Sequence, residues 1–313
     1  MPGPENDEKP GTHESIADSR NDTVQIYING DFFIRDEAKI SVFDSGFMLG
    51  DGVWEGLRLH NGKFLFEDLH IRRLFEGAKT LDLDISKTPE EISAALAETI
   101  AVNNMHDGVH VRLMVTRGPK KTPFQDPRFS IWGPTIVIIA EYKESSLEPV
   151  TNGIRMFTAH VPRGLPTVQD PKLNTHSKLN CITAMIQSYK AGYDEALMLD
   201  PLGFVNTGNS VNFFIVRNGE VWTSTGDYCM PGITRAKVIE LCQNQGIPIY
   251  QKNYSLHEAY NAEEAFVTGT FGAQTPVVEI DGRVIGEGKP GPVFKRIREC
   301  YQAMILEACP PVS

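Results

Sequence analysis

The sequence lacks the features of three classes of protein. Its five cysteines include no C-x-x-C pair and no cluster with histidine, so we predict neither a metal site nor a disulfide framework. No stretch approaches the roughly 20 apolar residues of a membrane-spanning helix. Basic residues are outnumbered, because 30 Lys and Arg against 40 Asp and Glu give a formal net charge of −10. This charge disfavours nucleic acid and anionic membranes as partners and leaves a small-molecule ligand as the prediction.

The first 23 residues have no apolar core of the kind that a secretion signal needs, and the cysteine count is odd. Both observations favour a reducing cytoplasm as the location. The same segment is rich in acids, Pro and Gly, so it cannot bury enough apolar surface to offset the entropy lost on ordering. We therefore predict a disordered tail over residues 1–23.

Residues 24–145 predict an N-terminal α/β domain with a mostly antiparallel sheet. Asn29-Gly30 and Asn61-Gly62 are typical of tight hairpin turns between strands. Thr88-Pro89-Glu90-Glu91 combines a cap, a proline at the first helical position and a glutamate three residues after the cap. This pattern predicts a helix to about Asn104.

Residues 146–153 are polar and contain a proline, which predicts a linker. The C-terminal domain over 154–313 alternates apolar strand patterns with helical spacing. The predicted helices run from about Ser177 to Ala191, from Thr234 to Gln245 and from Pro292 to Glu307. Two α/β-type halves predict a ligand cleft between domains.

Two turns and one helix carry side chains suited to an anion. Gly232-Ile233-Thr234-Arg235 opens a predicted helix, and Thr270 lies in the turn TGTFGAQTP after a strand. Backbone N–H groups at a helix start, together with hydroxyls, bind phosphate well, although each turn alone is also typical of ordinary capping. In HIRRL, Arg72 and Arg73 are about 100° apart on a helix, so only one of them can face inward.

Six segments in order resemble the fold-type IV enzymes that use pyridoxal 5'-phosphate (PLP), such as branched-chain and D-amino acid aminotransferases. They are GDGVWEGLRLHNG, HIRRL, YDEALMLDPLGFV, NFFIV, GITR and EEAFVTGTFGAQTPVVEIDGR. The resemblance covers about residues 24–305. It implies a two-domain α+β or α/β fold, with a smaller N-terminal domain, a larger C-terminal domain and the PLP site in the interdomain cleft. It also implies a homodimer.

The same resemblance assigns roles to single residues. Arg73 would bind the cofactor phosphate together with Ile233, Thr234 and Thr270. Thr207 occupies the position where the family usually carries a glutamate against the pyridine nitrogen. A hydroxyl can hydrogen-bond this nitrogen but does not favour its protonation as a carboxylate does.

The lysine that condenses with the cofactor aldehyde is displaced in this sequence. Family spacing brings its position to Asn174, which we assign to the cofactor site. Lys178 lies four residues later, one turn away if this segment is helical, and Lys172 lies two residues earlier. We predict Lys178 as the catalytic lysine and keep Lys172 as the competing candidate.

The substrate side is also implied by the resemblance. Arg112, on a predicted strand, would bind a substrate carboxylate, and Arg58 lies nearby in the motif EGLR. Trp54, Phe47 and Leu49 would supply apolar walls, although aromatic residues are commonly plain core.

The predicted function is a PLP-dependent aminotransferase that moves an amino group from an amino acid or amine to a 2-oxo acid. Two alternatives remain. A lyase similar to aminodeoxychorismate lyase would use the same cofactor without an acceptor. A PLP- or phosphate-binding pseudoenzyme would explain Asn174 and Thr207 together.

Overall fold

The computed structural model describes residues 12–13, 17–144 and 146–311. The chain forms two compact units. Of the described residues, the six-strand unit comprises 17–144, 166–179 and 300–311, and the nine-strand unit comprises 12–13, 146–165 and 180–299. The units are therefore less contiguous along the chain than the two predicted domains, because later segments return to the first unit.

The six-strand unit is built on one antiparallel sheet with strand order β2-β1-β6-β5-β3-β4. Its strands are β1 (Gln25–Ile28), β2 (Asp31–Ile34), β3 (Gly52–His60), β4 (Lys63–Phe64), β5 (Val109–Thr116) and β6 (Thr135–Tyr142). Its helices are α1 (Ser45–Leu49), α2 (Glu67–Thr80) and α3 (Pro89–Val102). Helices α2 and α3 cover one face of the sheet, where alternate residues such as Val53, Leu57 and Val111 form the core. The predicted antiparallel sheet with two helices is confirmed.

Local signals in this unit act as predicted. Asn29 and Asn61 have φ of 52° and 50°, and a glycine with positive φ follows each of them, as tight hairpin turns require. Thr88 and Glu91 form the capping box that opens α3. Arg72 is exposed, whereas Arg73 is half-buried, so the two arginines diverge on α2 as expected.

The nine-strand unit contains a mixed sheet in which six strands close into a ring. Its strands are β7 (Ile154–Thr158), β8 (Glu195–Leu199), β9 (Val205–Gly208), β10 (Asn212–Arg217), β11 (Glu220–Thr223), β12 (Ile249–Gln251), β13 (Glu264–Gly269), β14 (Ala273–Ile280) and β15 (Arg283–Val284). The order β10-β13-β14-β7-β8-β9 returns to β10 through a β9–β10 pairing. Its helices are α4 (Glu148–Asn152), α5 (Leu179–Lys190), α6 (Ile233–Asn244) and α7 (Leu256–Tyr260). Helix α8 (Pro292–Ala308) begins in this unit, and its residues from Cys300 onward belong to the six-strand unit.

Two expectations need correction. The tail prediction is wrong at its C-terminal end, because Ser19–Thr23 form a 3-10 helix and Asn21 bonds both backbone groups of Tyr142 at 2.8 Å. It is also wrong at Thr12, which is buried and donates a hydrogen bond to Glu195. Residues 1–11 and 14–16 lie outside the described residues. The predicted linker contains the one-turn helix α4.

Among the described residues, no helix has both the length and the apolar character needed to cross a bilayer.

Candidate active site

Arg73 is held inside the six-strand unit by a buried carboxylate. Its Nε donates to Oε1 of Glu55 at 2.8 Å, and its Nη2 donates to Oε2 at 2.7 Å. The Nδ1 atom of His70 lies 2.7 Å from the same Oε2. Burial opposes the ionisation of Glu55, but the hydrogen bonds from Arg73 and His70 outweigh it and hold the pKa of Glu55 below its usual value. The orientation of Arg73 is therefore fixed before any ligand binds.

Trp54, Arg112 and Lys178 come together in the same unit. The guanidinium carbon of Arg112 lies 4.0 Å from the centre of the Trp54 ring, and Nζ of Lys178 lies 5.7 Å from it. An indole face attracts cations at these distances. Burial lowers the pKa of Arg112 below the usual value for arginine. The structure thus groups three residues that the sequence assigned to the catalytic and substrate sites.

Arg58 lies on the same strand as Trp54 and is held by the backbone. Its Nη1 donates to the carbonyl oxygen of Lys143 at 2.5 Å. Burial lowers the pKa of Arg58. Arg58, unlike Arg112, is thus oriented by a main-chain acceptor.

The segment around Asn174 pairs with β3 and is not helical. Asn174 accepts a backbone hydrogen bond from Trp54 at 3.0 Å and returns one from its side-chain Nδ2 at 2.6 Å. Thr175 forms a bridge with Val53, and α5 begins only at Leu179. The premise that Lys178 lies one helical turn beyond position 174 is therefore wrong. The physical reason is that bonding to β3 satisfies this backbone in an extended form.

Lys172, the competing candidate, lies in a hydrogen-bonded turn and has an exposed side chain. Its backbone N–H donates to Oδ1 of Asp170 at 2.9 Å, within a turn closed by the bond from Leu173 N to Asp170 O. Its side chain is exposed, whereas that of Lys178 is half-buried. The side chain of Lys178 is thus more buried within the six-strand unit than that of Lys172.

Phe47 and Leu49 lie on the short helix α1 and face outward from their unit. Their side chains are 70% and 41% exposed. Asp44 caps this helix by accepting from Gly46 N at 2.8 Å, and its other oxygen accepts from Thr116 and Thr135. A buried and fully bonded aspartate therefore presents two apolar side chains at the surface of the unit.

In the nine-strand unit, the predicted cofactor residue Thr207 and the entrance to α6 both lie against Asn212. Its Nδ2 lies 3.5 Å from Oγ1 of Thr207 and donates to the carbonyl oxygen of Met230 at 3.2 Å. A Cβ built on Gly232 would lie only 2.1 Å from Oδ1 of Asn212, so only glycine fits at the entrance to α6. Thr207 is buried and donates to the carbonyl oxygen of Val211 at 2.7 Å.

The start of α6 and the turn after β13 complete this arrangement. Gly232 caps α6 without a side-chain hydrogen bond, so the first N–H groups of the helix, near Ile233 and Thr234, have no side-chain acceptor. Thr268, directly opposite Asn212 on β13, precedes Thr270 by two residues. Uncapped N–H groups and nearby hydroxyls suit a phosphate ester.

Sequence reasoning missed Asn212 and Glu55. A signal existed for Glu55, because strand alternation puts it on the same face as the core residues Val53 and Leu57. Asn212 is the single polar residue in the run VNFFIV, which gave no hint of its contacts. Among the residues described, no group of three or more His, Cys, Asp or Glu is placed to hold a metal ion.

The chain matches known proteins over most of its length. The family model described as amino-transferase class IV matches residues 52–280. A putative branched-chain-amino-acid aminotransferase of Methanocaldococcus jannaschii is 41% identical over 89% of this chain and 96% of its own length. A D-alanine aminotransferase of Staphylococcus haemolyticus is 30% identical, covering 90% of this chain and 98% of its own.

Two further comparisons concern length and fold. The branched-chain-amino-acid aminotransferase-like protein 2 of Arabidopsis thaliana is 41% identical over 93% of this chain, which spans only 52% of that relative. The T.th. branched-chain amino acid aminotransferase, solved with pyridoxamine 5'-phosphate, has a TM-score of 0.86 at 30% identity, with 92% of this chain and 96% of that one covered. This likeness confirms the predicted fold class.

Proposed function

Because the chain belongs to the class IV aminotransferase family, we propose that it is a PLP-dependent transaminase. It moves an amino group from an amino acid or amine to a 2-oxo acid. The observation that carries this proposal is that Thr207 and the uncapped start of α6 both lie against Asn212, which pairs with Thr268, two residues before Thr270. The relatives named for branched-chain amino acids and for D-alanine leave the amino donor open between these two classes.

The residues that would hold PLP have the required chemistry. Arg73 supplies a fixed positive charge for the phosphate, with the N–H groups of Ile233 and Thr234 and the hydroxyl of Thr270 as further donors. Thr207 would face the ring nitrogen, with Asn174 in the same site. When bound, PLP supplies an aldehyde that condenses with amines and a ring that withdraws electrons from the reacting carbon.

Lys178 is the lysine we propose to condense with this aldehyde and to move the proton at the substrate carbon. Its support is now its position beside Trp54 and Arg112 rather than helical spacing. Lys172 competes, because its side chain is exposed and therefore accessible to a ligand.

Borohydride reduction of the PLP-loaded protein, followed by peptide mapping, decides between the lysines. A label on Lys178 that Lys178→Ala abolishes and Lys172→Ala retains supports the proposal. The reverse pattern transfers the role to Lys172. A protein that takes up no label in any form contradicts the transaminase proposal and favours a pseudoenzyme.

On the substrate side, Arg112 would bind the carboxylate, with Arg58 as a second substrate residue and Trp54 as an apolar wall. Phe47 and Leu49 would form further apolar walls, and their exposure in this chain fits burial against a second copy in a homodimer. None of the five cysteines, all of which lie in the described part of the chain, forms a disulfide, which fits a reducing cytoplasm.

Thr207 gives a sharper test of the same site. A carboxylate at the ring nitrogen stabilises the protonated ring and hence the negative charge that develops at the substrate carbon. Thr207→Glu is therefore expected to raise the transamination rate, measured as keto acid formed with 2-oxoglutarate as acceptor. An unchanged or lower rate in a folded variant would contradict this placement of position 207.

The buried hydroxyl of Thr207 also favours a second candidate function, a PLP lyase that demands less stabilisation of that charge. Release of pyruvate without consumption of a 2-oxo acid acceptor separates this lyase from a transaminase. Stoichiometric use of the acceptor excludes it.

A further inference from the structure

Four polar side chains form a row across the ring of strands in the nine-strand unit. Asn212 on β10 pairs with Thr207 on β9 and with Thr268 on β13, and Thr268 pairs with Gln274 on β14. Residues directly opposite one another in a sheet point to the same face. These four residues, named here the polar row, therefore share one face.

The two halves of the polar row differ in their hydrogen bonding. Thr207 and Asn212 bond to backbone carbonyls of their own unit, at Val211 and Met230. Thr268 is 2% exposed and Gln274 is fully buried, yet Oγ1 of Thr268 and both amide atoms of Gln274 have no hydrogen-bond partner. Native proteins rarely leave such atoms unpaired, so each of them requires an explanation.

The hairpin that carries these two residues also has an unusual backbone. Strands β13 and β14 are joined by residues 270–272, and Ala273 follows with φ of 52°. A non-glycine residue in this left-handed region is strained, and such strain concentrates at ligand sites. Thr270, a proposed phosphate ligand, lies in the same turn.

We propose that Thr268 and Gln274 are further binding residues for a phosphate ester, here the phosphate of PLP. The hydroxyl of Thr268 and the amide N–H of Gln274 donate to anionic phosphate oxygens, which are strong acceptors. This inference rests on the proposed function for the identity of the ester. It adds two donors from the hairpin strands to Thr270.

The test uses Thr268→Val and Gln274→Met, which keep side-chain size and remove the polar atoms. Removing donors to a charged group is expected to weaken PLP binding by roughly tenfold each, measured by spectral titration of the cofactor-free protein. Binding of pyridoxal, which lacks the phosphate, is expected to stay unchanged. The thermal midpoint of the cofactor-free variants is expected to stay level or rise, because buried atoms without partners are lost.

Thr275→Val is the matched control, because Thr275 is a buried threonine of the same hairpin, adjacent to Gln274 and outside the polar row. It is expected to leave PLP affinity unchanged, and Thr268→Ser is expected to retain the affinity that Thr268→Val loses. Variants with lower thermal midpoints and unchanged PLP affinity would overturn the inference and make both residues structural.

Inorganic phosphate provides a test of the phosphate site that does not depend on PLP binding. Phosphate is expected to raise the thermal midpoint of the wild-type protein and to have a smaller effect on Thr268→Val and Gln274→Met. If wild type binds no PLP but this difference holds, the proposed function fails and the phosphate site stands. Equal effects of phosphate on wild type and both variants would overturn the site itself.

Discussion

The two units treat buried polar groups in opposite ways. In the six-strand unit, Glu55 is bonded by Arg73 and His70, and Asp44 is bonded by two threonine hydroxyls and a backbone N–H. In the described part of the chain, most buried polar atoms without a hydrogen-bond partner lie in the nine-strand unit, including atoms of Thr268, Gln274 and Glu195. Folding alone thus organises the charged groups of the first unit, whereas the second retains polar groups suited to a ligand.

The largest expected effect on stability comes from removing the hydrogen-bonded carboxylate of Glu55 in the six-strand unit. Glu55→Ala leaves Arg73 and His70 without their shared carboxylate, so we expect a loss of about 3–5 kcal/mol in the free energy of unfolding. Urea unfolding of the cofactor-free protein measures it. Glu76→Ala, at an exposed position of α2, the helix that carries His70 and Arg73, is the control and is expected to change little. Equal stability of the two variants would show that the pairing of Glu55 contributes nothing.

A smaller effect is expected at Glu195 in the nine-strand unit. Burial raises its pKa from 4.5 to about 7, against hydrogen bonds from Thr12, Asn209 and Ser210. Because the folded protein binds this proton more tightly than the unfolded chain, its contribution is present below pH 4.5 and is lost as pH rises to about 7. The difference corresponds to on the order of 3 kcal/mol.

Glu195→Gln is therefore expected to remove most of the fall in unfolding free energy between pH 5 and pH 8. Urea unfolding at both values measures it, and Glu299→Gln, exposed on α8, serves as the control. A variant that loses as much stability as wild type over this interval would refute the role of Glu195.

The smallest expected effect on stability comes from removing a helix cap, which can be compared between the two units. Capping boxes open α3 at Thr88 and α7 at Ser255. Thr88→Ala and Ser255→Ala are each expected to cost about 1 kcal/mol of unfolding free energy. Thr88 accepts from the backbone N–H of Glu91, and the hydroxyl of Ser255 donates to the Glu258 carboxylate that caps the backbone N–H of Ser255. Chemical denaturation of both variants checks this. A cost confined to one unit would show that tertiary packing, rather than the motif, sets the value.

Local patterns predicted much of the fold. The hairpin turns at Asn29 and Asn61, the capped helix α3 and the divergence of Arg72 from Arg73 all follow from interactions between residues close in sequence. The same reasoning failed where distant segments meet. Asn174 is extended because it bonds to β3, more than a hundred residues earlier in the chain.

The candidate site divides in the same way. Motif order predicts Thr207, Thr234 and Thr270 as cofactor residues, whereas Asn212, whose Nδ2 lies 3.5 Å from Oγ1 of Thr207, gave no signal in the sequence. No pattern in the sequence indicated Thr268 and Gln274 either. Their polar atoms are seen to be buried without hydrogen-bond partners only once β13 and β14 are paired in the fold.

By itself, the sequence determined the longer helices, the hairpin turns and the family to which the chain belongs, because each depends on local periodicity, turn chemistry or ordered motifs. The tertiary structure alone decided that Glu55 fixes Arg73, that the segment around Asn174 is extended and that the polar row lies on one face. The reason is physical. Burial and hydrogen-bond satisfaction are properties of neighbours in space, and strand pairing sets those neighbours across long separations in the chain.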